Sequence, residues 1–141
     1  MSNPCSRSRN AAYPLEIPYR LVNMYSIAND TVLDPFCGLG TTNLACIAAE
    51  RNSIGVEIDN TVADLACKRI IGAKDALNGV IRTRIAKHKA FIDTLSIEKR
   101  AQCYSNQKHN FDVRTKQETA IYLSEIAELQ QRADKFYCMY V

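Results

Sequence analysis

Asp34-Pro35-Phe36-Cys37-Gly38-Leu39-Gly40-Thr41-Thr42 is the stretch on which the reading of this chain turns. Before it, Thr31-Val32-Leu33-Asp34 is a short apolar run bounded by turn residues, and it reads as a buried strand. After it, Thr41 through Glu50 has helical spacing, with Leu44, Ile47 and Ala48 on one face. Pro35 to Gly40 must then be loop. Glycines in such a loop let the backbone approach a ligand closely, and the helix N-terminus that follows offers free N–H groups. A tight turn alone would also require Gly-x-Gly, so the weight falls on the neighbouring residues.

Ser53-Ile54-Gly55-Val56-Glu57-Ile58 reads as a second strand. Asn60 or Thr61 caps a helix carrying Val62, Leu65 and Ile70. Strand, glycine loop, helix, strand, helix over 31–72 predicts parallel strands joined by right-handed crossovers. Glu57 then lies at the carboxyl end of the second strand, where an acid can accept hydrogen bonds from both ribose hydroxyls of an adenine nucleoside. The loop is not of the dinucleotide type, because Asn43 stands where Gly-x-Gly-x-x-Gly has its third glycine. Asp34 at the loop's start disfavours a pyrophosphate and favours a cationic ligand. S-adenosylmethionine, with its sulfonium and ammonium, fits that charge logic better than a nicotinamide dinucleotide, which argues against an oxidoreductase.

The chain has 141 residues, enough for one modest domain with a core, and a formal net charge of +3. That charge is compatible with nucleic acid without arguing for it. Lys68, Arg69, Lys74, Arg82, Arg84, Lys87 and Lys89 fall in one stretch, which a solvated helix face would explain. No apolar run is long enough for a transmembrane helix, and the start, Met1 to Asn10, is polar and basic and does not read as a secretory signal; residues 1–12 read as a loose lead-in. A cytoplasmic setting is expected. The six cysteines form no CxxC pair and show no zinc spacing, so neither a metal site nor disulfides are expected. Cys46 and Cys67 read as small core residues on helices. His88 and His109 are lone histidines with no assigned role.

Elsewhere, Pro14 and Pro18 limit a first helix to the part after Pro18. Residues 74–101 read as one charged helix with Leu77, Ile81, Ile85 and Ile92 on one side. Residues 103–110 read as a polar linker, and Thr115-Lys116-Gln117-Glu118 as a capping box. Ile121 to Arg132 has a helical composition, but Lys135 to Val141 is strongly strand-forming, and a hairpin turning near 130–134 would give that strand a partner. Tyr122, Phe136, Tyr137 and Tyr140 would pack in it. The division expected is a cofactor-binding portion over 1–102 and an extension over 103–141.

Asp-Pro-Phe-x-Gly-x-Gly-Thr-Thr closely resembles the cofactor motif of the N4-cytosine and N6-adenine DNA methyltransferases. Gly55-Val56-Glu57-Ile58-Asp59 resembles their second motif, and Tyr13 through Val22 is similar to the aromatic-proline motif placed before the glycine loop when catalysis comes first in the chain. Arg9-Asn10-Ala11 stands where many relatives have His-Pro-Ala. The resemblance implies an α/β fold, a partial Rossmann-like methyltransferase core with a parallel sheet, flanking helices and a C-terminal helix plus β-hairpin. It implies S-adenosylmethionine as cofactor, with Tyr13, Asp34, Pro35, Phe36, Gly38, Gly40, Thr41, Thr42 and Glu57 around it. For Tyr13 a core position, for Thr41 and Thr42 a helix cap, and for Asp34 a loop cap are the plainer alternatives. Asp59 is read as a helix cap. The resemblance also implies methylation of an exocyclic amine of DNA, with the Tyr-Pro-Leu-Glu form closer to the N4-cytosine subset. RNA or a small amine is a rival substrate.

The family's chemistry needs a Pro-Pro-aromatic motif, and this sequence has no Pro-Pro pair. Asn3-Pro4-Cys5-Ser6 is the nearest string. No catalytic residue is therefore assigned. The expectation is a cofactor-binding portion whose catalytic motif and target recognition come from a second chain or a missing segment. The alternative is an inactive cofactor-binding subunit or a truncated remnant.

Overall fold

The computed structural model describes residues 13–141. The lead-in 1–12, with Asn3-Pro4-Cys5-Ser6 and Arg9-Asn10-Ala11, lies outside the described residues. Two compact units divide the chain, one ending at Gly72 and one running from Ala73 to Val141.

In the first unit the order is α1 (Glu16–Tyr25), β1 (Thr31–Asp34), α2 (Thr41–Ala48), β2 (Asn52–Gly55) and α3 (Asn60–Ile71). β1 and β2 pair in parallel, with Thr31 opposite Asn52 and Asp34 opposite Gly55. This is the expected α/β arrangement, two parallel strands joined through α2. α1 starts before Pro18, not after it. Pro18 sits in the first turn, where backbone N–H groups lack intrahelical partners anyway, so the missing donor costs nothing.

α2 is the core of the unit: Leu44, Ala45, Cys46, Ile47 and Ala48 are all buried. It stops at Ala48 and not at Glu50. Glu50 takes a left-handed φ of 59°, and the Arg51 N–H reaches back to the Cys46 carbonyl at 2.9 Å, a Schellman closure on a residue other than glycine. The Arg51 side chain fixes this corner by donating to the Ala49 carbonyl and, at 2.8 Å, to the Ser26 carbonyl at the end of α1.

β1 is not a buried strand. Val32 and Asp34 are half-buried, while Leu33 is 62% exposed. α2 packs on the sheet, whereas among the described residues β1 pairs with β2 alone. β2 ends at Gly55, so Glu57 lies two residues past the strand. α3 is capped by Asp59 and not by Asn60 or Thr61; the Asp59 carboxylate accepts from Thr61 N–H at 3.0 Å and Val62 N–H at 3.4 Å. The buried side of α3 is Ala66 and Ile70, with Leu65 exposed and Val62 and Cys67 half-buried.

In the second unit the helix expected over 74–101 is two helices, α4 (Lys74–Asp93) and α5 (Ile97–Arg100). Thr94 turns its hydroxyl onto the Phe91 carbonyl at 2.6 Å, and Ser96, in an extended conformation, caps α5. The supposed linker contains β3 (Tyr104–Ser105), which pairs antiparallel with β4 (Asp112–Val113). The Thr115–Glu118 capping box is formed and opens a short 3₁₀ turn, Lys116–Ala120. The chain ends in the hairpin, not the helix: β5 (Ile126–Arg132) pairs antiparallel with β6 (Lys135–Tyr140). Asn78 of α4 pins it, donating to the Ile126 carbonyl at 3.0 Å and accepting the Ile126 N–H at 2.7 Å.

Among the described residues no helix is long and apolar enough to cross a membrane. The five described cysteines are free thiols.

Candidate functional site

The loop between β1 and α2 is held by backbone bonds to the chain beyond β2. The Asp34 carbonyl accepts Val56 N–H at 2.9 Å, and Cys37 N–H donates to the Val56 carbonyl at 2.9 Å. The Asp34 carboxylate accepts Phe36 N–H at 3.1 Å, folding Pro35 and Phe36 into an Asx-type turn. Asp34 thus does the plainer job of shaping the loop. Gly38 and Gly40 both have left-handed φ, 51° and 72°. At Gly38 no heavy atom lies within 4 Å of where a Cβ would stand, so the backbone there faces open space.

Glu57 closes over this loop. One carboxylate oxygen accepts Gly38 N–H at 3.1 Å, and the other accepts Asp59 N–H at 3.0 Å. Each oxygen keeps further acceptor capacity. The carboxylate is therefore fixed in orientation and still able to receive two more donors. Phe36 of the loop and Ile58, next to Glu57, are large apolar residues left to solvent, at 88% and 96% exposure.

Cys37 lies between Asp34 and Gly38. Burial pushes its thiol up, and the negative charges of Asp34 and Glu57 push it further the same way.

The other expected residues are arranged differently. Thr41 is buried at the start of α2, and its hydroxyl accepts from Arg69 of α3 at 2.9 Å. The same Arg69 nitrogen donates to the Leu39 carbonyl at 3.0 Å, so Arg69 staples the loop from α3. Sequence reasoning counted Arg69 as part of a charge run; its long-range partners left no local signal. Thr42 bonds the Tyr13 hydroxyl at 2.7 Å. Tyr13 and Thr42 line a cleft of 640 Å³ with Ile17, Leu21, Val22 and Val32, between α1 and β1; neither Gly38 nor Glu57 lines it. The structure thus brings Asp34, Pro35, Phe36, Gly38, Gly40 and Glu57 together, and puts Tyr13 and Thr42 on a neighbouring surface.

Gly55 was also missed. A methyl group there would stand 2.9 Å from the Asn43 amide oxygen and 3.0 Å from Cys37 Sγ. In a dinucleotide loop the third glycine lets helix and strand approach. Here Asn43 occupies that place on α2, and the room comes from Gly55 on the strand instead. Its position at a strand end, just before the acid, was the available signal.

The sequence profile of the DNA methylase family matches residues 2–68, which contain this loop and Glu57. Through these residues the chain is similar to the N6/N4 DNA methylase family. Its similarity extends to the type II methyltransferase M.MthZI of Methanothermobacter thermautotrophicus, 47% identical over 83% of this chain and 32% of that protein. The type II methyltransferase M.MjaI of Methanocaldococcus jannaschii is 49% identical over 49% of this chain and 23% of its own length. The chain thus spans about a third or less of these methylases. Among solved structures, TTHA0409 of Thermus thermophilus complexed with S-adenosylmethionine is 47% identical over 40% of this chain and 24% of its own, with a TM-score of 0.40.

Proposed function

We propose that this chain supplies the S-adenosylmethionine-binding portion of a cytoplasmic DNA methyltransferase acting on an exocyclic amine, cytosine N4 or adenine N6. The observation that carries the reading is the Glu57 carboxylate, held by Gly38 and Asp59 N–H groups beside a loop whose backbone is open at Gly38. A fixed acceptor pair beside such a loop suits a ribose diol. The two carboxylates beside the loop, Asp34 and Glu57, suit a cationic sulfonium better than a pyrophosphate. The residues therefore fit the cofactor. Glu57 would hold its ribose, the Gly38–Gly40 backbone would pass beside it, and Phe36 and Ile58 would offer apolar surface to its adenine. Asp34 and Pro35 shape that loop, Thr41 and Arg69 hold its far end, and Tyr13 and Thr42 border it. When bound, S-adenosylmethionine supplies an electrophilic methyl group.

Every residue named for the cofactor precedes Gly72, within the portion 1–102 assigned to that role; 103–141 is the extension. The catalytic Pro-Pro-aromatic motif and target recognition are placed outside these 141 residues, in a further segment or a second chain. The exposed Leu33 on β1, unpaired on its outer side among the described residues, supports a further strand there.

The test is calorimetric titration of the chain with S-adenosylmethionine. Micromolar binding is expected, weakened at least about tenfold in Glu57→Ala, since hydrogen bonds to a charged group contribute roughly 1.5–3 kcal/mol. A chain shown folded by circular dichroism that binds no cofactor would overturn the reading.

A further inference from the structure

The positive charge of the second unit is not spread through it. Residues 84–118 carry eight Lys and Arg against four Asp and Glu, and the rest of the unit is balanced, four against four. The structure then removes acids from play in this segment. Asp93 and Asp112 both clamp Arg100, at 3.3 and 3.5 Å. Glu118 is turned inward to cap Thr115. By contrast Lys87, Lys89, Lys99, Lys108 and Lys116 are exposed, and none makes an ion pair among the described residues.

Two of these ammonium groups lie over aromatic rings. Phe111, His109 and Tyr122 form a column, with His109 stacked on Phe111 at 5.4 Å and on Tyr122 at 5.3 Å. Lys89 lies over the Phe111 ring at 5.9 Å, and Lys108 over the Tyr122 ring at 5.7 Å. The column is rigid for three reasons. His109 accepts the Leu123 N–H, and His88 of α4 bonds the Asp112 carbonyl. Buried Asn106 satisfies four backbone groups, the N–H groups of Lys108 and His109 and the carbonyls of Glu118 and Ile121. Lysines restrained this way lose less rotamer freedom on meeting an anion than free ones do.

We infer that residues 84–118 form a contact surface for the DNA phosphate backbone, with Lys89 and Lys108 among its cations. Ammonium groups without an ion pair among the described residues, beside an aromatic column whose Tyr122 end is exposed, match a polyanion. The choice of DNA among polyanions rests on the methyltransferase reading.

The test uses the full chain and a fluorescein-labelled duplex, followed by anisotropy across a salt series, with cofactor binding measured separately. Lys89→Gln/Lys108→Gln should weaken binding roughly tenfold at low salt. It should also flatten the slope of log affinity against log salt by about 0.9 for each phosphate no longer neutralised. The double Arg variant should retain the wild-type slope, and Lys135→Gln on β6 should leave affinity within about twofold. Wild-type binding without these differences, an equal loss in Lys135→Gln, or no wild-type binding would overturn the inference. So would displacement of the duplex by polyglutamate as readily as by unlabelled DNA, which would point to an acidic protein. Intact lysine effects in a chain that binds no S-adenosylmethionine would sink the cofactor reading alone.

Discussion

Gly55 of β2 faces Asn43 of α2 so closely that a methyl group at position 55 would stand 2.9 Å from the Asn43 amide oxygen. The Asn43 amide nitrogen is committed to Ser53 Oγ at 3.0 Å, so the side chain is not free to swing away. On the loop side Cys37 Cβ and Sγ close the same space at 3.0 Å. The glycine loop, the helix it opens and the strand beside it therefore meet at one small residue.

Gly55→Ala is expected to destabilise the protein by about 1–3 kcal/mol, the range for forcing a methyl into a packed site. Gly38→Ala meets open space and carries only the strain of a left-handed φ, about 1 kcal/mol. Urea titration of the two variants checks the order. Equal losses would mean that the contact at Gly55 relaxes without cost.

The Asn78 amide pairs with both backbone groups of Ile126 in a buried setting. Asn78→Ala leaves a donor and an acceptor unsatisfied, at about 1–3 kcal/mol each where burial persists. The expected signature is local: faster hydrogen exchange at the Ile126 amide and across β5. Unchanged protection there would show that strand pairing alone holds the hairpin.

Legibility in the sequence followed the range of the interactions. β1, the loop and α2 could be read because strand, glycines and helix spacing are adjacent in sequence, and the Thr115 capping box is equally local. Arg69 could not be read as a staple, because its partners Leu39 and Thr41 are far back in the chain. The tail was undecided between helix and hairpin for the same reason, since the Asn78 anchor of Ile126 lies on α4. The burial of β1 was overestimated because an apolar run says what a strand can bury, not what covers it. Of the candidate site, the loop and Glu57 were visible from residue type and spacing. Gly55 was visible only as a strand residue, since its role depends on what packs against it.

Cys46 gives the chain a pH dependence of known sign. It is buried on α2 with no exposed surface, and burial pushes its thiol up to about 11, against a smaller opposing pull from Arg51. An unfolded chain ionises such a thiol near 9.0. Between about pH 9 and 11 the unfolded state releases a proton that the folded state keeps, so stability falls as pH rises, by up to about 1.4 kcal/mol per pH unit. Below that window the contribution is fully present. Cys37 and Cys138 are pushed up by burial as well and act in the same direction. Urea titrations of wild type and Cys46→Ala at several pH values isolate the effect, because lysine and tyrosine ionisation is common to both. The alanine variant should show the shallower decline above pH 9 or so, and parallel declines would mean that Cys46 ionises in the folded protein without penalty.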